Sequence, residues 1–211
     1  MQWDDLLALV GREPVFSSAF LLAGEVTPGQ VRLQLSRWVK AGRLVQLRRG
    51  LYALAPAWRK VEPHPFLAAN RLQRGSYVSL QSALAFHDVI PEHVPVVTSA
   101  TPGRPETVRN ALGAFQFSHL TQRLLFGYTR IEVAPEQFAF VASPEKALLD
   151  LVHLTPGADS REYIGELRLQ NLDALDARLL DELAARSDKP KLVRAARILG
   201  PVLSASEGDV L

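Results

Sequence analysis

One stretch of the chain has the composition of a phosphate-binding surface. Thirty-six consecutive residues, from Val26 to Val61, contain no Asp or Glu. The basic residues of this stretch are Arg32, Arg37, Lys40, Arg43, Arg48, Arg49, Arg59 and Lys60. Arginine and lysine side chains bind phosphates and displace the counterions that condense on a nucleic-acid duplex. The stretch therefore predicts a nucleic-acid-binding surface, although a basic face that is merely solvated has the same composition.

Residue patterns of enzymes and metal sites are missing from the sequence. No two of the five histidines have the i, i+4 spacing of a metalloprotease helix, and no phosphate loop, dinucleotide fingerprint or nucleophile elbow occurs. The chain has no cysteine, which excludes disulfides and thiolate ligands. Asp150 and His153 share one helix face, and we interpret them as a hydrogen-bonded surface pair. The sequence indicates no catalytic residue, no metal site and no cofactor.

Charge divides the chain into two parts. Residues 1–60 hold nine basic and four acidic residues, whereas residues 61–211 hold fifteen basic and eighteen acidic residues. The overall charge of +2 therefore conceals a basic N-terminal part and a mildly acidic remainder. A length of 211 residues is comfortable for two domains. We expect one domain over residues 1–60, a second over residues 61–204, and a tail over residues 205–211.

Helix signals in the N-terminal part place the basic residues on one element. Apolar spacing predicts helices over Trp3–Val10 and residues 19–23, and Gly24 then breaks the pattern. Thr27-Pro28 is a start signal for a third helix, in which the Thr hydroxyl would cap free N–H groups and proline suits the first turn. The predicted buried stripe of this helix consists of Val31, Leu35, Trp38 and Val39.

The third helix is followed by a predicted two-stranded hairpin. Gly42 can adopt the left-handed conformation that ends a helix. Residues 44–47 and 51–54 are short β-prone runs, and Gly50 can supply the positive φ of the turn between them. Three helices and a hairpin with arginines at its tip constitute a winged helix-turn-helix. We expect these residues to have a small core of their own around Leu35, Trp38 and Leu47.

A winged helix with this charge can bind DNA in a defined way. Its third helix fits the major groove, where Arg and Gln read the edges of guanine and adenine. The wing arginines can bind phosphates or enter the minor groove. The candidate DNA-binding residues are Thr27, Gln30, Arg32, Gln34, Arg37, Lys40, Arg48 and Arg49. The alternative is a winged helix used for protein contacts, which basic residues on both the helix and the wing argue against.

The rest of the chain predicts a mixed domain in which helices lie beside and after a small sheet. Three prolines between Ala55 and Pro65 indicate a semi-rigid join. Strand-like runs alternate with helices up to residue 154, and helices follow over residues 161–169, 173–186 and 191–199, the last ended by Gly200-Pro201. The exposed side of that last helix carries Lys191, Arg194 and Arg197, a candidate contact for a partner or nucleic acid. The predicted fold class is α+β.

Several of these segments together resemble the AbiEi family of antitoxins, the bifunctional regulators of type IV toxin–antitoxin phage-defence systems. The resemblance rests on Arg49-Gly50-Leu51-Tyr52 at the wing, on residues 77–84 and 89–92, on residues 142–151, and on residues 166–172. The run Ser143-Pro144-Glu145-Lys146-Ala147-Leu148-Leu149-Asp150 is its most specific single part. The similarity extends from the first helix to about Leu199.

The resemblance implies a repressor that autoregulates its operon by binding an inverted-repeat operator in double-stranded DNA. It also implies that the C-terminal domain counteracts a nucleotidyltransferase-like toxin of the AbiEii type, as a functional partner that need not form a stable complex. We expect a cytoplasmic, non-enzymatic protein without membrane contact. The alternatives are an enzyme acting on nucleotides or nucleic acid that the winged helix recruits to DNA, and a regulator that senses a small ligand in a pocket between the domains.

Overall fold

The computed structural model describes residues 1–22 and 27–207, and its first elements form a winged helix-turn-helix. These elements are α1 (Trp3–Val10), β1 (Phe16–Ser17), a 3-10 helix (Ser18–Leu22), α2 (Pro28–Lys40), β2 (Leu44–Arg48) and β3 (Leu51–Leu54). Strand β3 pairs antiparallel with both β1 and β2. The predicted α1, α2 and hairpin are confirmed, whereas β1 is too short to predict. The expected break at Gly24 lies outside the described residues.

The N-terminal elements enclose a small apolar core. Its buried members are Leu6, Val10, Phe16, Leu21, Val31, Leu35, Trp38, Leu44, Tyr52 and Leu54. Helix α2 ends as predicted, because Gly42 adopts a φ of 68° directly after the C-cap residue Ala41. Gly50 adopts a φ of 80° at the wing turn, a conformation that residues with a Cβ atom rarely adopt.

The second part of the chain consists of a mixed sheet and several helices. Its strands are β4 (Tyr77–Val78), β5 (Val96–Thr101), β6 (Glu106–Asn110), β7 (Gly113–His119), β8 (Tyr128–Ala134) and β9 (Gln137–Ala142). Its α-helices are α3 (Pro65–Leu72), α4 (Leu80–Phe86), α5 (Pro144–Leu154), α6 (Arg161–Glu166), α7 (Ala177–Arg186) and α8 (Pro190–Glu207), and 3-10 helices span Gln122–Leu124 and Leu172–Ala174. This arrangement confirms the predicted mixed α/β composition.

The six strands are ordered β6-β7-β5-β4-β9-β8. The β4–β9 and β5–β7 pairs are parallel, and the β4–β5, β6–β7 and β8–β9 pairs are antiparallel. Helix α3 packs against β4 and β9, and α4 packs against β5 and α5. Helices α7 and α8 pack against each other and against α5. This sheet and its helices form a second, larger apolar core.

Three sequence-based boundaries in the C-terminal helices are wrong. The helix predicted over residues 161–169 ends at Glu166. The predicted helix over residues 173–186 is divided, because Asp176 accepts hydrogen bonds from the backbone N–H groups of Arg178 and Leu179 and so caps α7. Helix α8 does not end at Gly200-Pro201 but continues to Glu207. Proline removes one backbone hydrogen bond there, whereas the buried Leu199 and Leu203 keep the apolar face of the helix packed.

The wing packs against the second part of the chain. Val15, Leu47 and Ala53 are buried in the larger core, not in the N-terminal one. The expectation that Leu47 belongs to the small core is therefore wrong, because its side chain lies on the body-facing side of β2. The Asn110 amide on β6 also donates to the Leu47 carbonyl at 3.3 Å. The boundary near residue 60 stays a prediction.

Candidate nucleic-acid interface

Helix α2 is oriented by the apolar side that it buries. Val31, Leu35 and Trp38 are at most 4% exposed, and Trp38 meets the Trp3 ring edge-on at a centroid distance of 5.2 Å. Pro28 occupies the first turn as predicted. Thr27 is the N-cap residue, but its hydroxyl makes no capping hydrogen bond, so the predicted side-chain cap is wrong. Its extended backbone and the proline after it still define the start of the helix.

The side of α2 opposite this core is exposed and basic. Gln30, Arg32, Arg37 and Lys40 are exposed, whereas Gln34 is half-buried. The Arg32 guanidinium donates to the Pro28 carbonyl at 3.3 Å, which leaves most of its donors directed to solvent. An α-helix with its side chains is about 10–12 Å across, which fits the major groove.

The same surface includes Leu33, an apolar residue that the sequence does not explain. Its side chain is 55% exposed, although it is flanked by polar and basic residues. A large apolar side chain in such a position can contact the methyl group of thymine in the major groove. The sequence does contain a signal that Leu33 is exposed. Leu33 lies between Arg32 and Gln34 and is out of phase with the buried stripe of Val31 and Leu35.

The two wing arginines have different surroundings. The Arg48 guanidinium forms two hydrogen bonds with the Glu106 carboxylate, at 2.8 and 3.1 Å, and a third with the Leu72 carbonyl at 2.9 Å. Arg49 is exposed and makes no hydrogen bond or ion pair with any described residue. Arg49 is therefore available for phosphates, whereas a contact from Arg48 would have to replace three existing hydrogen bonds.

Other cations of the acid-free stretch also have partners within the protein. The Arg43 guanidinium lies over the rings of both Trp3 and Trp58, at 5.3 and 5.6 Å from their centroids. Arg59 forms an ion pair with Glu62. Among the described residues of this stretch, the cations with neither an ion pair nor a ring contact are Arg32, Arg37, Lys40, Arg49 and Lys60.

The basic side chains of α8 do not form a uniform free stripe. Lys191 donates to the carbonyls of His153 and Thr155, at 3.4 and 2.5 Å, where it stabilises the C-terminal end of α5. Arg194 forms an ion pair with Asp159 at 2.7 Å, and this contact lowers the pKa of the Asp159 carboxyl. Arg197 is exposed and has no ion-pair partner among the described residues.

The run over residues 143–150 forms a buried polar cluster. Ser143 caps α5 by accepting from the Lys146 N–H at 3.2 Å, as expected for a Ser-Pro start. The Lys146 ammonium pairs with the Asp150 carboxylate inside the protein, where both side chains are 2% exposed. The hydroxyls of Tyr77 and Ser79 each donate to Asp150 at 2.8 Å. This part of the sequence therefore joins α5 to β4 and is closed to substrate.

The expected surface pair of Asp150 and His153 is wrong, because Asp150 points into the core and pairs with Lys146. Burial raises the pKa of the Asp150 carboxyl, while Lys146 and the hydroxyl donors act in the opposite direction. Burial also raises the pKa of the Tyr77 hydroxyl, to which the Asp150 charge adds. Within residues 1–22 and 27–207, no three His, Asp or Glu side chains come together in a way that could hold a metal ion.

Comparison with known families identifies the N-terminal domain. Residues 4–55 match the family model described as a transcriptional regulator, AbiEi antitoxin. This N-terminal segment is similar to the AbiEi transcriptional regulators. The resemblance inferred from the sequence is thereby confirmed for the part that contains α2 and the wing. AbiEi proteins are regulators and not enzymes, so the expectation of a non-enzymatic protein agrees with the family.

The whole chain also resembles a solved structure. The crystal structure of the RV2827C protein from Mycobacterium tuberculosis matches with a TM-score of 0.58, over 96% of this chain and 80% of that one. The two sequences are 15% identical, so the likeness shows only that the two chains share a fold. No curated protein matches the chain. No helix among the described residues combines the length and apolar composition that a membrane crossing requires.

Proposed function

We propose that this AbiEi-type regulator represses its own operon by binding an inverted-repeat operator through α2 and the wing. The observation that carries the proposal is the exposed surface of α2, where Gln30, Arg32 and Arg37 lie outside the buried stripe in a winged helix that matches the AbiEi family model. Glutamine and arginine supply the donors and acceptors for base edges, and Lys40 and Arg49 supply charge for phosphates. Thr27 and Gln34 lie at the margins of this surface.

The DNA-binding experiment uses the full chain and the DNA upstream of its gene. Four cations, Arg32, Arg37, Lys40 and Arg49, should give a log–log salt slope of about −3.6 for each bound protomer. Gln30→Ala should change the preferred base at one operator position. Lys40→Ala should weaken binding to all DNA sequences by the same factor. Arg161→Ala, which removes an equal charge from an exposed position on α6, is the matched control.

Two results would argue against the operator proposal. One is an affinity for the upstream DNA no higher than for unrelated DNA. The other is an equal loss of affinity in Lys40→Ala and in Arg161→Ala, since this would mean that only total charge matters. An operon reporter then tests repression in cells, where Gln30→Ala should raise expression and Arg161→Ala should leave it unchanged.

We further propose that the chain acts in the cytoplasm as an antitoxin against a nucleotidyltransferase-like toxin of the AbiEii type. The support is the AbiEi domain together with the resemblance of residues 77–172 to the same family. The part of the chain after the winged helix supplies most of a large core, to which Val15, Leu47 and Ala53 also contribute, and it is large enough to carry a second activity. The exposed Arg197 and its neighbours on α8 are the first surface to examine.

The antitoxin experiment separates the two activities in the full chain. The neighbouring toxin gene is expressed from an independent promoter, and growth is measured with wild-type protein, with the DNA-binding variant Arg32→Ala/Arg37→Ala, and with Arg197→Glu. The DNA-binding variant should rescue growth as well as the wild type does at equal protein level. Failure of this variant to rescue, with normal stability, would show that antitoxicity requires DNA binding.

A further inference from the structure

A cleft lies between the wing turn and strands β8 and β9 of the C-terminal sheet. Its volume is about 900 Å³, and its walls come from three parts of the fold: the wing turn with residues 13–15 and 17, the end of α3 with the turn after it, and the β8–β9 hairpin. Ligand sites in proteins have volumes of this order and often lie where domains meet. The cleft is thus large enough for a small charged molecule, and none of the functions proposed above uses it as a whole.

Arginine side chains from all three walls line this cleft. They are Arg48 and Arg49 on the wing, Arg71 and Arg74 at the end of α3, and Arg130 on β8. Only two acidic residues, Glu13 and Glu136, line it as well. Arg48 is held by Glu106, whereas the other four guanidinium groups form no ion pair with any described residue. Cations that converge from separate elements concentrate positive potential in one place, which a single solvated helix face does not.

The sheet wall of the cleft also presents aromatic rings. Phe140 is 44% exposed although it lies in a strand, and Arg130 is its cross-strand partner in the β8–β9 ladder. The Arg130 guanidinium covers the Phe138 ring at 3.7 Å from the centroid. The Asn70 side chain accepts from the Phe140 N–H at 2.6 Å, which fixes this strand beside α3. An exposed ring beside a guanidinium is a stacking surface for a nucleobase.

We propose that this cleft binds a nucleotide carrying several phosphates. Arg71 and Arg74 would bind the phosphate oxygens, since guanidinium groups match them with paired hydrogen bonds. Phe140 would stack on the base. A free nucleoside triphosphate and the 5′-phosphorylated end of a single nucleic-acid strand both combine phosphate groups with a base. The site shares Arg49 with the proposed operator surface, but it does not depend on operator binding.

The test is calorimetric titration of the full chain, without DNA, with ATP, GTP, inorganic tripolyphosphate and a 5′-phosphorylated tetranucleotide. We expect saturable binding of at least one triphosphate. Arg71→Ala/Arg74→Ala should weaken it by about tenfold or more, because two charge-assisted contacts are lost. Phe140→Ala should weaken nucleotide binding by about fivefold or more and leave tripolyphosphate binding unchanged. Arg123→Ala/Arg161→Ala removes two exposed arginines elsewhere and is the matched control.

Each outcome decides one part of the proposal. Absence of saturable binding, or equal weakening by the cleft and control variants, would overturn it. Tripolyphosphate binding as tight as ATP binding would overturn the role of Phe140 and the base. Tighter binding of the tetranucleotide, lost in the same cleft variants, would assign the site to single-strand ends. Thermal unfolding of every variant, followed by circular dichroism, excludes loss of the fold as the cause.

Discussion

Arg48 and Glu106 form a two-point ion pair that joins the wing to strand β6, with oxygen–nitrogen distances of 2.8 and 3.1 Å. The Arg48 guanidinium also donates to the carbonyl of Leu72, the last residue of α3. One arginine at the wing tip thus holds together the winged helix, the edge of the sheet and a helix of the second domain. The neighbouring Arg49 remains exposed, and the two residues should behave differently when replaced.

Replacement of the wing arginines should separate DNA binding from stability. Arg49→Ala should weaken binding to all DNA sequences and reduce the salt slope by about 0.9. Arg48→Ala should affect DNA affinity much less and should lower the free energy of unfolding. The side chains of Arg48 and Glu106 are 43% and 30% exposed, so solvent screens them and their coupling should be at most about 1 kcal/mol.

A double-mutant cycle with Arg48→Ala and Glu106→Gln measures this coupling by urea unfolding. Anisotropy titrations with operator DNA measure the other effect for the same proteins. If Arg48→Ala reduced DNA affinity as strongly as Arg49→Ala, the ion pair would have to open on DNA, and the original assignment of both arginines to the DNA would stand.

We expect Leu33 to affect the DNA sequence preference of the protein but not its stability. Leu33→Ala should change the free energy of unfolding by no more than about 0.5 kcal/mol, because its side chain is exposed. Leu35→Ala, two residues away and fully buried, should cost about 2–5 kcal/mol. If Leu33 contacts a thymine methyl group, its replacement should reduce the preference for thymine at one operator position. An unchanged preference across a randomised operator library would remove Leu33 from the interface.

The sequence predicts the winged helix well because its signals are local. The Thr27-Pro28 start, the apolar spacing in α2, and the glycines at positions 42 and 50 each act over a few residues. The exposed residues of α2 follow from the same periodicity. Local patterns cannot predict the ion pair of Arg48, because its partner Glu106 is 58 residues distant in the chain.

Contacts between residues that are distant in sequence are also what the sequence fails to predict in the second part of the chain. Most strands and helices are predicted from their composition, but the strand order is set by pairings such as β4 with β9, which are far apart in sequence. The Asp150–His153 interpretation fails because helix spacing allows two partners for Asp150. Only the tertiary structure shows that Asp150 is buried, where it pairs with Lys146 and accepts a hydrogen bond from the distant Tyr77. The arginine cleft is likewise invisible, since Arg49, Arg71 and Arg130 come from three separate elements.

The buried cluster around Asp150 should be critical for stability. Lys146→Met would leave the Asp150 carboxylate inside the core without its counter-ion, which costs about 3–5 kcal/mol for a buried pair. Tyr77→Phe removes one donor to the carboxylate and should cost about 1.5–3 kcal/mol. Urea unfolding measures both. The exposed ion pair of Arg178 and Glu182 is the control, since Arg178→Met should cost little. A small loss in Lys146→Met would indicate that Asp150 is already protonated in the folded state.

His64 should make the stability of the protein depend on pH. Its ring Nδ1 accepts a hydrogen bond from the Phe66 N–H at 3.2 Å and so caps α3, which requires an unprotonated nitrogen. Burial lowers the pKa of His64 in the folded protein. Between that pKa and the unfolded value of about 6.5, the unfolded chain binds more protons, so stability rises with pH in this range. The contribution of His64 is therefore complete above about pH 6.5 and is lost as the pH falls below it.

His64→Asn tests this mechanism, because asparagine is a good N-cap residue that does not titrate. The difference between the melting temperatures at pH 7.5 and pH 5.5 should be smaller in His64→Asn than in the wild type. Burial also lowers the pKa of His153, which adds an effect of the same sign, so His153→Gln should reduce the difference as well. Replacement of the exposed His93 by asparagine serves as the control. An undiminished difference in the double variant His64→Asn/His153→Gln would assign the acid sensitivity to the carboxyl groups instead.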